Sequence, residues 1–168
     1  MDDLRYASRT CAPADARPAA NLVGIQRAVL EECFKWAMQR EVFGKPLIQQ
    51  PVIQFKLAEM SARVEAWVNW YENITFQMTM MKFKEQGEKL SGAVALLKFE
   101  ATRVGSLLAD QAPQVFGGRA ITQTGMGRLV ERYARTYKFA SILGGSEDVL
   151  ATQGIKMALR EYPGGAKL

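Results

Sequence analysis

The 168-residue chain contains no histidine. That absence removes imidazole acid–base chemistry, histidine-based triads and histidine-ligated metals together. Carboxylates, cysteines, tyrosines and lysines are left as possible catalytic groups. There are only 2 cysteines, Cys11 and Cys33. They stand far apart with no C-x-x-C, and Cys33 falls in a helix-like apolar run, so a buried free thiol in a reducing compartment is expected. The formal net charge is +5, yet acidic and basic residues alternate and no basic block forms. With no zinc-finger, RNP or recognition-helix pattern, nucleic acid is not an expected partner; the positive balance suits a phosphate-bearing ligand. No stretch approaches the roughly 20 apolar residues of a membrane span. Met1 is followed by Asp2 and Asp3, without the charged and apolar regions of a secretory leader. A soluble protein is expected.

What the chain has in quantity is helical periodicity. At 48% hydrophobic residues it can bury one core and not two. Residues 1–20, with Pro13, Pro18 and no period, are expected to form an irregular arm. From Asn21 to Arg40, Leu22, Ile25, Val29, Cys33, Trp36 and Ala37 recur at steps of three and four, the mark of one buried helical face. From Pro51 to about Lys84 there is neither an internal proline nor a glycine, and Val52, Phe55, Leu57, Met60, Val64, Trp67, Val68, Tyr71, Ile74, Met78 and Met81 keep the same beat. At 1.5 Å per residue this is a rod of roughly 50 Å. Gln86 and Gly87 are expected to turn the chain into a third helix from about Glu88 to Ala112. A glycine-dense loop then runs from Gln114 to Gly127, followed by helices from about Leu129 to Ile142 and from Ser146 to Glu161. No segment alternates like a strand. The predicted fold is all-α, an up-down helical bundle with long antiparallel helices over residues 21–162 and a free tail at 163–168.

Three places carry chemistry. REVFGKPL, Arg40 to Leu47, is a tight elbow: Gly44 and Pro46 stop one helix and Pro51 opens the next. Arg40 at that helix's end complements the dipole, and its forked guanidinium also suits a pyrophosphate. Gly117-Gly118 follows a helix and Gly144-Gly145 precedes one. A C-cap and a turn into a Ser146 N-cap account for both, with Glu147 and Asp148 favouring the dipole. The functional alternative is close approach of a ligand to the backbone and anion binding at the helix start. On the residues alone the structural alternative is the stronger. The pattern is not G-x-G-x-x-G after a strand, so it is not a Rossmann site.

The ordered set REVFGKPL, LAEM (Leu57 to Met60), QVFGG (Gln114 to Gly118), ER-x-x-R (Glu131 to Arg135) and GGSE (Gly144 to Glu147) resembles the C-terminal helical domain of the flavin-dependent acyl-CoA dehydrogenases, fungal members in particular. The resemblance implies an oxidoreductase acting on the CH–CH group of an acyl-CoA with FAD. It implies that Arg40 contacts the pyrophosphate of a flavin bound mainly by a neighbouring subunit, and that Gln114, Val115, Phe116, Gly117 and Gly118 lie along the adenosine end of that flavin. Ser146, Glu147 and Asp148 match residues that touch FAD near its phosphates, with serine in place of the usual threonine. In most members the base that removes a proton next to the thioester is a glutamate at the position held here by Gly144, which cannot serve. A minority place it near the start of the domain's first helix, where Ala14 stands beside Asp15. No catalytic residue is assigned.

Members of the family also carry a helical and a β-domain ahead of this one, and the chain contains neither. Two functions therefore stay open: an acyl-CoA dehydrogenase domain incomplete for catalysis, or a non-catalytic helical module for oligomerisation or partner binding derived from it. The family's assembly through this domain implies a homo-oligomer. The final residues, Ala166-Lys167-Leu168, resemble a Ser-Lys-Leu peroxisomal signal, so the expected location is the peroxisome, with the cytoplasm as the alternative.

Overall fold

The computed structural model describes residues 16–161. Helix α1 spans Ala16–Gln39, so the helix starts before the Asn21 expected from periodicity. Pro18 does not prevent this, since a proline in a first turn removes no helical hydrogen bond. The Ala14–Asp15 position and the Ala166-Lys167-Leu168 tripeptide lie outside the described residues.

The elbow is a miniature hairpin rather than a bare turn. Strands β1, Glu41–Val42, and β2, Lys45–Pro46, pair antiparallel with Val42 opposite Lys45. Phe43 (φ 53) and Gly44 (φ 72) form the two-residue connection, both left-handed, as a tight hairpin loop requires. The Leu47 amide closes it on the Arg40 carbonyl at 2.6 Å. A 3-10 turn, Leu47–Gln49, leads into α2, Pro51–Thr79, with proline at the start.

Helix α2 buries Ile53, Leu57, Met60, Val64, Trp67, Val68 and Ile74. Val52 and Phe55, expected on that stripe, are exposed: at 100° per residue they fall off the line set by positions 53, 57, 60 and 64. The helix also stops short of Lys84. The turn is at Met80–Lys82, and Gln86 and Gly87 sit inside a short helix α3, Phe83–Lys89. The cause is local capping. The Lys82 amide donates to Glu85 Oε2 at 3.1 Å, and Gln86 Nε2 donates to the carbonyls of Met78 and Met81 at 2.8 and 3.0 Å, tying the new helix back to the end of α2 and the turn after it.

Helix α4, Ser91–Phe116, is the central rod and packs against α1 and α2. It runs past Pro113, where the sequence suggests a stop. Its last turn is held by burial of Val115 and Phe116 and by a stacked contact of Phe116 with Trp36 of α1, ring centres 5.2 Å apart. A 3-10 segment, Gly117–Ile121, then leads to α5, Arg128–Thr136, α6, Lys138–Ile142, and α7, Glu147–Glu161. The single helix expected over Leu129 to Ile142 is thus two, meeting at Tyr137. Helix α7 lies along α4, where Gly154 admits Leu96: a Cβ on Gly154 would stand 2.5 Å from Leu96 Cγ.

One buried polar residue ties three helices together. Gln26 of α1 donates to the Ala101 carbonyl of α4 at 2.8 Å and accepts from Trp67 Nε1 of α2 at 2.8 Å. Both ends of its amide are used, so its burial costs little and its position is fixed. Cys33 is a buried free thiol, as expected, and burial pushes it up to about 12, with Glu32 adding to the shift. Among the described residues no helix is long and apolar enough to cross a membrane.

Candidate functional site

The hairpin and the end of α4 meet to form a cleft of about 700 Å³, and Arg40, Gln114, Val115, Phe116, Gly117 and Gly118 all line it. Residues far apart in sequence converge because Trp36, one turn before Arg40, stacks on Phe116, two residues after Gln114. The Arg40 side chain is exposed at the mouth, and its backbone N–H bonds to the Trp36 carbonyl at 2.8 Å. Arg40 is thus the last residue that the helix holds in place.

The floor is bare backbone. Gly117 ends α4 at φ 60 and ψ −143, and its amide returns to the Pro113 carbonyl. This bears out a C-cap role, and it also leaves open space: among the described residues an added Cβ at Gly117 or Gly118 would meet nothing within 4 Å. The walls mix apolar surface from Trp36, Val42, Leu47 and Ile53 with the polar side chains of Gln114, Arg119 and Thr122. Among the described residues two guanidiniums and no carboxylate line the cleft, so their field favours an anion. Among the described residues no cluster of carboxylates and thiols could hold a metal.

Ser146, Glu147 and Asp148 do not line this cleft. They open α7, where the Ser146 carbonyl accepts the first helical bond from Leu150 at 3.0 Å. Glu147 pairs with Lys138 of α6 at 3.7 Å. Just before them Gly144 and Gly145 are left-handed, at φ 71 and 102, and the neighbouring Phe139, Ile142, Leu143 and Val149 are exposed apolar side chains. The sequence-derived site is therefore split in two, an elbow cleft and a helix start.

Sequence reasoning missed Arg119, although its place directly after Gly117-Gly118 was a usable signal. It also missed Lys98, which sits among apolar neighbours on the third helical stretch and is buried.

A profile of the acyl-CoA dehydrogenase C-terminal domain matches residues 5–159. The chain belongs to the acyl-CoA dehydrogenase family, as its C-terminal domain. It is 34% identical over 136 residues to acyl-CoA dehydrogenase apdG of Emericella nidulans, covering 81% of this chain and 31% of that protein. It is 32% identical over 139 residues to acyl-CoA dehydrogenase AFT10-1 of Alternaria alternata, covering 82% and 32%. Among solved structures, butyryl-CoA dehydrogenase of Megasphaera elsdenii superimposes with a TM-score of 0.77 at 26% identity, covering 93% of this chain and 38% of that one. The acyl-CoA dehydrogenase domain here thus spans about a third of the length of the relatives it matches.

Proposed function

We propose that this domain grips the phosphate and adenosine end of FAD within an acyl-CoA dehydrogenase assembly. The observation that carries the reading is the convergence of Arg40 with Gln114 to Gly118 on one cleft that, among the described residues, no carboxylate lines. The residues present suit that half of the cofactor. Arg40 and Arg119 offer forked donors to a pyrophosphate, Gly117 and Gly118 leave room for it against the backbone, and the apolar wall suits a flat base.

When bound, FAD supplies a hydride acceptor for oxidation of an acyl-CoA. The domain's own residues bind and orient; none of them is assigned as the base. Gly144 has no side chain to offer at the position where most family members carry the glutamate, and in the family the acyl-CoA contacts come largely from the domains ahead of this one. Ser146 to Asp148, outside the cleft, are read as touching a second flavin. Each chain would then serve two cofactors, which requires a homo-oligomer. The alternative, a non-catalytic assembly module, draws support from the exposed apolar residues Val52, Phe55, Phe76, Met80 and Phe83.

Because the cleft holds only one end of the cofactor, the isolated chain is expected to bind FAD in the millimolar range. Recovery of stoichiometric yellow flavin on purification would contradict that. The substitution Gly118→Ala separates binding from folding. Among the described residues an added Cβ meets nothing within 4 Å, so stability should stay within about 0.5 kcal/mol. FAD affinity by calorimetric titration should fall by about ten-fold. Unchanged affinity would count against the cleft as the site.

A further inference from the structure

Lys98 stands in the middle of α4 beside the buried Leu97, Ala101 and Thr102, and is itself only 2% exposed. Nothing in packing calls for a lysine there, since a leucine or methionine would fill similar space without the cost of removing an ammonium from water. Its Nζ donates to the carbonyl oxygens of Leu143 and Gly145, the latter at 2.8 Å. These two carbonyls bracket Gly144.

The segment so gripped joins two helices. On one side the Leu143 amide makes the last bond of α6, to Phe139 at 2.9 Å; on the other the Leu150 amide makes the first bond of α7, to Ser146 at 3.0 Å. Between them lie the two left-handed glycines, the most permissive backbone in the region. The close crossing at Gly154 and Leu96 fixes the body of α7 against α4. Leu150 packed on Ala95 and the Lys138–Glu147 pair hold the first turn of α7 itself, whereas the turn that precedes it is tied to α4 by a charged donor bonding both of its carbonyls.

We propose that Lys98 is a positioning residue for the start of α7. It holds the turn at residues 143–145 so that the Gly144 position and the Ser146 to Asp148 segment stand in one fixed orientation. The inference rests on the reading that this segment faces a flavin.

Amide hydrogen exchange on the full chain tests it, comparing wild type with Lys98→Met and Lys98→Arg. Methionine keeps the volume and removes the donors; arginine keeps cationic donors. Without ligand, Lys98→Met should exchange about ten-fold faster at residues 143–149, with α1 and α2 unchanged, and Lys98→Arg should be accelerated less. Wild-type exchange in Lys98→Met would show a packing role only, and acceleration spread through α1 and α2 would show a general core role. Either result overturns the proposal. With millimolar FAD, residues 144–148 should be slowed in wild type and not in Lys98→Met. Slowing in both proteins also overturns it. No slowing in wild type instead overturns the flavin assignment of Ser146 to Asp148, and the positioning role with it, even if the ligand-free comparison shows the clamp.

Discussion

At the residue scale, the glycines inside helices divide by what surrounds them. Gly24, within α1, has nothing among the described residues within 4 Å of an added Cβ, whereas at Gly105 a Cβ would stand 3.0 Å from Tyr133 Oη and 3.2 Å from Gln26 Nε2. Gln26 cannot yield, because both ends of its amide are bonded. Gly24→Ala should therefore stabilise the domain by about 0.5–1 kcal/mol through helix propensity. Gly105→Ala should destabilise it by about 1–3 kcal/mol through overpacking. Urea unfolding of the pair checks this, and the same sign in both would contradict the account. From sequence both glycines look like the same modest helix penalty; only the neighbours distinguish them. Lys98 and Gln26 were illegible for the same reason. A polar residue on an apolar face is explained by its partner, and these partners come from other elements.

At the element scale, the elbow joins a fold requirement to a site. Phe43 holds φ 53 while 96% exposed, a conformation costly for a bulky side chain and unrewarded by contacts within the domain. Asparagine adopts that conformation more readily, so Phe43→Asn should raise stability by about 1 kcal/mol. A thermal melt showing a loss instead would mean that the phenyl ring supports the fold. The long helices were legible because their apolar stripes extend over many turns, as with Leu57, Met60, Val64 and Trp67. Their ends were less so. The Gln86 capping bonds, the stacking of Phe116 on Trp36 and the pairing of Val42 with Lys45 are contacts that periodicity does not encode. The elbow cleft was legible from the ordered motifs, whereas its separation from Ser146 to Asp148 was set by where each meets α4: the cleft at its Phe116 end, the turn before Ser146 at Lys98.

At the scale of the whole molecule, the exposed apolar residues of α2 and α3 predict self-association. Light scattering at micromolar concentration should give a mass above that of one chain, and a clean monomer would contradict this. The elbow cleft is proposed to recognise the adenosine and phosphate end of FAD. The most direct measurement is an amide NMR titration of the chain with FAD, ADP and riboflavin in parallel. Millimolar FAD and ADP should shift the same amides, those of Arg40, Val42, Gly117, Gly118, Arg119 and Thr122, and riboflavin should leave them unmoved. No shift with FAD or ADP, or equal shifts with riboflavin, would contradict it.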